Sequence, residues 1–226
     1  MTPMQDDASP AHEAALRRTI FQLSLASFAS MTIQRLCDPM LPELARDFSV
    51  DLGQAAAVIG WFAVVYGVAQ LIYGPLSDRF GKYRVITFCT LASSLACMAC
   101  ALTSGLEQLV WARMASAFSA AAIVPMGMAW VGDAVRYEVR QVYLAKLGMG
   151  STMGIFGGQV IGGVCTDTIG WRWAFVIMGL GFLVVGLMLW QGQEKAHRLV
   201  PRPSAIQSGS ISFAQKVTDV LSQARA

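Results

Sequence analysis

Apolar residues form long continuous segments along this chain, and short polar stretches separate them. Long segments contain no charged residue at all, among them 85–106, 114–132, 147–166 and 173–193. An α-helix needs about 20 residues to cross a hydrocarbon core about 30 Å thick. On that criterion the pattern predicts six membrane spans, at 19–40, 56–77, 85–103, 109–131, 144–165 and 173–191.

These segments are continuous and rich in small residues, which is typical of packed transmembrane helices and not of the alternating strands of a membrane barrel. Composition agrees, because 55% of the residues are hydrophobic and only 14% are charged, against about 25% charged in soluble domains. We therefore predict an all-α membrane protein with a cytoplasmic tail at 1–18, a six-helix bundle at 19–191 and a cytoplasmic linker at 192–226. The linker contains a short amphipathic segment, 211–224.

The basic residues predict the orientation of the bundle. With the N-terminus in the cytoplasm, thirteen of the 17 Lys and Arg residues lie on that side, and only Arg46 and Arg172 lie outside. Because Lys and Arg concentrate in cytoplasmic loops, we predict a multi-pass plasma membrane protein with both termini cytoplasmic, typical of a bacterial inner membrane. Tryptophans fall near the predicted span ends, outer for Trp61, Trp111, Trp171 and Trp173, inner for Trp130 and Trp190. The net charge of +3 reflects this topology and not a nucleic-acid partner.

The chain offers little for catalysis or for cofactor binding. Both histidines, His12 and His197, lie outside the predicted spans, so a membrane serine protease would lack its general base. Cys97 and Cys100 form a C-x-x-C pattern, which in a membrane helix only places two thiols on one face. We predict no enzymatic activity, no metal site and no cofactor.

The loop after span 2 and the loop after span 5 share the pattern G-x-x-x-D-x-x-G, followed by a basic residue. Three residues recur at an offset of 89: Gly74 with Gly163, Asp78 with Asp167, and Gly81 with Gly170. One loop faces the cytoplasm and the other faces outside. The recurrence therefore predicts two three-helix units of inverted topology.

The first of these loops, GPLSDRFGKYR, resembles the signature loop between helices 2 and 3 of the major facilitator superfamily, in particular of its drug:proton antiporter branch. The matching residues are Gly74, Asp78, Arg79, Gly81, Lys82 and Arg84. Gly74 would let helix 2 approach a neighbour, and Gly81 would permit a tight turn. The resemblance covers about 17–192 and implies the N-terminal six-helix half of a twelve-helix transporter.

Span 5 contains a second element, GIFGGQVIGG, which resembles the G-x-x-x-G-P-x-x-G-G element of the antiporter branch. Its residues are Gly154, Gly158, Gln159, Gly162 and Gly163. Gln159 stands where the family has proline, so the fixed kink is lost and an amide is added that needs a partner in the membrane. The glycines indicate a tight helix interface, with or without a role specific to exporters.

Charged residues inside a span are costly and mark candidates for function. Arg35 and Asp38 lie one turn apart in span 1, and Arg113 lies in span 4. Arg113 stands where the family has a buried arginine, although Ser116 and Ala117 replace the usual glutamine and glycine. With a rise of about 1.5 Å per residue, Asp38 and Arg113 lie at similar depth in the outer part of the membrane.

In the family, the first helix of each three-helix unit lines the central cavity. The resemblance therefore implies that Asp38 faces Arg113 there, and that a proton or cation bound at Asp38 competes with this ion pair. Protonation would free Arg113 and Arg35 and favour one facing state, while substrate competes for the cavity. Pro39 and Pro42 leave an alternative open, in which Arg35 and Asp38 only mark the outer end of span 1.

The inner end of span 4 resembles the charged loop that precedes helix 5 in the family. Its charged residues are Asp133, Arg136, Glu138 and Arg140. In the family such charges interact with the signature loop. The resemblance implies that Asp133 pairs with Arg79 and ties helix 4 to helix 2 in one conformation.

The resemblance implies a transporter that exports small apolar or cationic compounds in exchange for protons, by alternating access. One half would require a second six-helix half, from the same or another chain, besides the lipid bilayer, the substrate and protons. Two alternatives stay open: a truncated fragment that does not transport, and a non-transporting membrane interaction module.

Overall fold

The computed structural model describes residues 10–200. This part of the chain forms helices and no strand: α1 (Pro10–Arg35), α2 (Leu41–Asp47), α3 (Leu52–Ala55), α4 (Ala57–Phe80), α5 (Lys82–Ala101), α6 (Leu106–Ala120), α7 (Ile123–Ala134), α8 (Tyr137–Thr168) and α9 (Trp171–Leu199). The predicted amphipathic segment 211–224 lies outside the described residues.

Six long helical segments correspond to the six predicted spans, with α3 and α4 together as the second and α6 and α7 together as the fourth. The predicted all-α, six-helix architecture is confirmed. Within residues 10–200, four segments are long and apolar enough to cross a membrane: Leu52–Phe80, Lys82–Ala101, Leu106–Ala134 and Trp171–Glu194. α1 and α8 are long, at 26 and 32 residues, but they are less apolar because serine, threonine and glycine occur where they pack together.

The helix termini gather at two opposite ends of the bundle. At one end Gln22 of α1 accepts a hydrogen bond from Tyr83 of α5 (3.4 Å), and we name it the Lys82 end after the first residue of α5. At the other end Asp47 of α2 accepts a hydrogen bond from Trp171, the first residue of α9 (3.0 Å). We name it the Asp47 end.

α1 differs from the predicted span 1 at both of its ends. It begins at Pro10, a residue favoured in the first turn of a helix. It ends at Arg35 and residues 36–40 form a turn, so the prediction that span 1 continues to residue 40 is wrong. Pro39 explains the difference, because it has no N–H and disfavours helical geometry at Asp38.

The fourth span is interrupted between α6 and α7. Pro125 has no N–H to donate to the carbonyl of Ala121, four residues earlier. The hydroxyl of Ser30 in α1 donates a buried hydrogen bond to the carbonyl of Ala120 beside the break (3.0 Å). A neighbouring helix thus satisfies a backbone group that water cannot reach.

α1 and α8 pack with their backbones in close approach. Gly154, Gly158 and Gly162 recur every fourth residue on the buried face of α8. A Cβ on any of these glycines would come closer than 3.0 Å to a carbonyl oxygen of the α1 segment, that of Phe28, Thr32 or Leu36 respectively. The Thr32 hydroxyl also donates to the Gly154 carbonyl (3.1 Å). This contact requires residues without side chains.

The inverted repeat is visible in two turns. Gly81 has φ 90° and ψ 129°, and Gly170, 89 positions later, has φ 96° and ψ 147°. No other glycine between residues 10 and 200 has a positive φ. Each of the two directly precedes a helix, α5 or α9, in a conformation that glycine adopts without steric cost.

The packing of the long helices also reflects the inverted repeat of the two three-helix units. α1 begins the first unit and packs on α8, the second helix of the other unit, while α6 begins the second unit and packs on α4. The third helices, α5 and α9, pack on each other. Two units related by an approximate two-fold axis give these reciprocal contacts.

The signature segment is not a loop in the structure. Residues 74–80 continue α4, and α5 begins at Lys82. Gly81 alone lies outside a helix, and its N–H donates to the carbonyl of Ser77 (2.8 Å). Its positive φ reverses the chain within a single residue, so the polar residues on both sides remain helical.

Substituting Gly154 by alanine should weaken the contact between α1 and α8. We expect Gly154→Ala to lower the free energy of unfolding in mixed micelles by about 1–3 kcal/mol, the usual cost of overpacking. A methyl group added at Gly148 of the same helix would meet no neighbouring helix or side chain within 4 Å. Gly148→Ala should therefore leave stability unchanged or raise it slightly; equal effects of the two changes would contradict this account.

Candidate functional site

Arg113 of α6 is a charged side chain buried completely among apolar helices. Its Nη1 donates to the carbonyl of Ile33 in the last turn of α1 (2.9 Å). Its guanidinium carbon lies 4.0 Å from the ring centroid of Phe62 and 5.9 Å from that of Phe175. Nε and Nη2 have no hydrogen-bond partner among residues 10–200. Arg113 therefore neutralises part of the negative end of the α1 dipole.

The predicted facing of Asp38 and Arg113 is not the arrangement in the structure. No carboxylate in the described part of the chain lies within 4 Å of the Arg113 nitrogens, whereas Asp38 pairs with Arg35 (Nη1 to Oδ2, 3.4 Å). Both partners are open to the surroundings, with side chains 49% exposed for Arg35 and 29% for Asp38. Arg113 and Asp38 lie at neighbouring levels, because Ile33 precedes Asp38 by five residues.

The charged contact at the Lys82 end differs from the predicted one in its basic partner. Asp133 of α7 pairs with Lys82 (Nζ to Oδ2, 2.5 Å), and not with Arg79. The guanidinium of Arg79 lies beside the ring of Phe80 (5.8 Å to the centroid). Arg79 belongs to the last turn of α4, whereas Lys82 follows the Gly81 turn and so reaches α7. The ion pair joins the fourth span to the start of α5, the third helix of the first unit, and not to helix 2 as the resemblance implied.

The other charged residues of this end make local contacts. Arg140 donates from Nε and Nη2 to the carbonyl of Val135, just after α7 (3.4 and 3.3 Å). Arg136 pairs with Glu138 (3.5 Å). Asp78 and Arg84 are exposed, and neither has an ion-pair partner in the part of the chain that the structure describes.

The element in span 5 has two different sides. Gly154, Gly158 and Gly162 are buried against α1, and Gly163 makes only an ordinary contact, since a Cβ placed there would lie 3.8 Å from Pro39. Gln159 is exposed on α8, and α8 runs as one helix from Tyr137 to Thr168 without the kink that proline would impose. The Gln159 amide makes no hydrogen bond within residues 10–200.

A cluster at the Asp47 end was not predicted from the sequence. Asp47 Oδ2 accepts hydrogen bonds from Trp171 Nε1 and from Arg172 Nη1, both at 3.0 Å. Arg172 also donates to the carbonyl of Thr103 (3.2 Å), and Phe48 packs edge-on against Trp171 (5.8 Å between centroids). The segment after α1, the segment between α5 and α6 and the start of α9 meet in this cluster.

The sequence contained only part of the signal for this cluster. Trp171 and Arg172 stand next to the turn glycine, so two donors were visible at the start of α9. Asp47 lies 124 residues earlier, in a segment whose course depends on where α1 ends. Its role follows only from the folded chain.

The profile of the Major Facilitator Superfamily matches residues 23–222. The chain belongs to this superfamily. Among curated proteins, this major facilitator chain is 25% identical to the multidrug export protein EmrB of Escherichia coli K12 over 188 residues, which are 82% of the chain and 37% of EmrB. It is 30% identical to the MFS-type transporter R5 of Phoma sp. over 169 residues, 72% of the chain and 32% of R5. The chain thus spans less than half the length of these relatives.

Solved structures show the same fold. The major facilitator chain resembles a bacterial homologue of the human lysosomal transporter Spinster, in its inward-facing occupied conformation, with a TM-score of 0.74 and 20% identity. That match covers 88% of this chain and 47% of the homologue. The peptide transporter POT in complex with sulfate gives a TM-score of 0.72 at 16% identity, over 91% of this chain and 45% of POT. The family and the fold are those of multi-pass membrane transporters and not of enzymes.

A double-mutant cycle can separate Lys82 from Arg79 as the partner of Asp133. We expect Asp133→Ala and Lys82→Ala to couple by about 0.5 kcal/mol in unfolding free energy, the size typical of partly exposed ion pairs. Asp133→Ala and Arg79→Ala should show coupling near zero. A larger coupling with Arg79 would restore the pairing that the resemblance implied.

Removing the Asp47 carboxylate should destabilise the Asp47 end of the bundle. We expect Asp47→Ala to cost about 1 kcal/mol of unfolding free energy, because two donors lose a charged acceptor at a partly exposed site. Asp47→Asn should cost less, since an amide oxygen still accepts. Asp167→Ala is the matched control, because Asp167 is exposed in the last turn of α8; a loss as large as that of Asp47→Ala would remove the specific role of the cluster.

Proposed function

We propose that this chain is one half of a proton-coupled transporter that exports small apolar or cationic compounds by alternating access. Support comes from the relatives, since EmrB is named a multidrug export protein. The distribution of Lys and Arg supports a bacterial inner-membrane location with both termini, and hence the Lys82 end, in the cytoplasm.

The observation that carries this proposal is the unneutralised charge of Arg113. A guanidinium in a membrane helix costs up to about 3 kcal/mol in insertion scales, the value at the helix centre. Its hydrogen bond to Ile33 and its stacking on Phe62 offset this cost, but no carboxylate does so among residues 10–200. A buried cation of this kind is expected in a transporter whose cargo or coupling ion changes the charge nearby.

In the proposed mechanism Asp38 is the group that takes up the proton. Protonation removes the negative partner of Arg35, and Arg35 borders the glycine contact of α8 at Gly158. The released guanidinium changes the electrostatic balance at the outer end of α1, where Arg113 binds the Ile33 carbonyl. Proton uptake thereby favours one packing of α1 against α6 and α8 over another, which is the differential interaction that coupling requires.

The working transporter would contain a second six-helix half, from another copy or another chain. Large apolar residues remain exposed along one side of α8: Met149, Met153, Phe156, Val160 and Val164. The Gln159 amide lies exposed on the same helix, and an unpaired amide is unfavourable against lipid. A protein surface that offers an amide partner would cover this helix better than acyl chains.

The proposal predicts that proton coupling depends on Asp38. In vesicles holding the full chain, with and without a partner half, Asp38→Asn should abolish the pH dependence of flux of a lipophilic cation. Glu43→Gln is the matched control, because Glu43 pairs with exposed Arg46 at the same end. Unaltered proton linkage in Asp38→Asn would remove Asp38 from the mechanism.

The same vesicles distinguish the transporter from the other two functions. Proton-coupled flux with either arrangement supports the proposal. Stable insertion with no flux in any arrangement would favour a non-transporting fragment or an interaction module.

A further inference from the structure

We propose that the groove between α4 and α5 at the Lys82 end binds one anionic phospholipid, with an acyl chain in the groove and its phosphate on Arg84. This inference rests on the orientation proposed above, which places the groove in the cytoplasmic leaflet. It concerns a ligand and a surface that transport itself does not require.

The groove is apolar and has walls from both helices. Leu76 and Phe80 of α4 form one wall and Phe88 of α5 contributes to the other, above a floor of Val85 and Cys89. Its volume is about 330 Å³, at the lower end of the range of about 300–1,000 Å³ for small-molecule sites. Leu76 and Phe80, like Val85 and Cys89, are four residues apart, so each pair lies on one side of its helix.

A cation stands at the rim of this groove. Arg84 lines it and is exposed, and in the described residues no carboxylate lies within 4 Å of its guanidinium. The nearby Lys82 is neutralised by Asp133. Arg79 also has no ion-pair partner among the described residues. The two cations Arg79 and Arg84 therefore outnumber the one exposed acid nearby, Asp78.

The level of the groove along the membrane normal fits a lipid better than a soluble anion. Phe88 packs edge-on against Trp190 of α9 (5.7 Å between centroids), and Trp190 is 51% exposed, as in the aromatic belt at the membrane interface. Arg84 precedes Phe88 by one helical turn, about 6 Å along the axis. That step is close to the thickness of one headgroup layer, about 5–7 Å, so the guanidinium reaches the level of the phosphate.

The apolar groove and the guanidinium of Arg84 at its rim together match an amphiphile. Basic pockets between helices on the cytoplasmic side are suited to anionic headgroups, and the apolar walls exclude a headgroup without its chain. Trp190 and Phe88 also place this side of the bundle toward lipid.

Native mass spectrometry of the full 226-residue chain tests this site. The protein is released from micelles that contain equal amounts of phosphatidylglycerol and phosphatidylcholine with identical acyl chains, and the lipid retained on the protein is counted. We expect phosphatidylglycerol to be preferred. Arg84→Gln should lower this preference about fivefold, the contribution of one basic residue near an anionic surface, and Arg84→Lys should retain most of it.

The matched control is Arg198→Gln, which removes one exposed cation from the end of α9 outside the groove. It should bind both lipids as the unchanged protein does. Phe80→Ala should reduce retention of both lipids by removing part of a wall, with helix content checked by circular dichroism.

Three results would overturn the site: no preference for phosphatidylglycerol in the unchanged protein, no effect of Arg84→Gln, or an equal loss in Arg198→Gln. Coverage of the groove by a protein partner would give the first of these. Lipid retention is measured without a transported substrate or a pH gradient, so failure here and failure of the transport proposal can be told apart.

Discussion

The backbone contact between α1 and α8 is the constraint on which the rest of the bundle depends. Gly154, Gly158 and Gly162 let the two helices approach until carbonyl oxygens of α1 fill the space of the missing side chains. With its position fixed on the second unit, α1 offers the Ser30 hydroxyl to the break in the fourth span. The same helix offers the Ile33 carbonyl to α6. Glycine spacing in one helix thus determines hydrogen bonds in another.

Arg113 shows how this packing accommodates a charge. A hydrogen bond between a charged and a neutral group contributes about 1.5–3 kcal/mol, and a desolvated cation–π contact contributes about 2 kcal/mol. These contributions are comparable with the insertion cost of about 3 kcal/mol. Arg113 can therefore stay charged without a carboxylate, and it joins the first helices of the two inverted units. Changes at Asp38, in the turn after the same helix, occur beside this contact.

The two ends of the bundle are held by different interactions. At the Lys82 end an ion pair between Lys82 and Asp133 and a hydrogen bond from Tyr83 to Gln22 cross between helices, and partly exposed ion pairs contribute about 0–1 kcal/mol. At the Asp47 end one carboxylate joins two donors of α9, and aromatic rings pack around them.

The sequence by itself determined the six spans, the glycine contact and the repeat, because each depends on a local property. Apolar continuity over 20 residues requires a membrane, and a positive φ requires glycine at 81 and again at 170. Only the tertiary structure decided which charges meet. Asp133 selects Lys82 because the Gly81 turn redirects the chain, and Arg113 binds the Ile33 carbonyl while Asp38, in the turn after α1, pairs with Arg35. Partner choice depends on helix ends and rotations, which no spacing along the chain encodes.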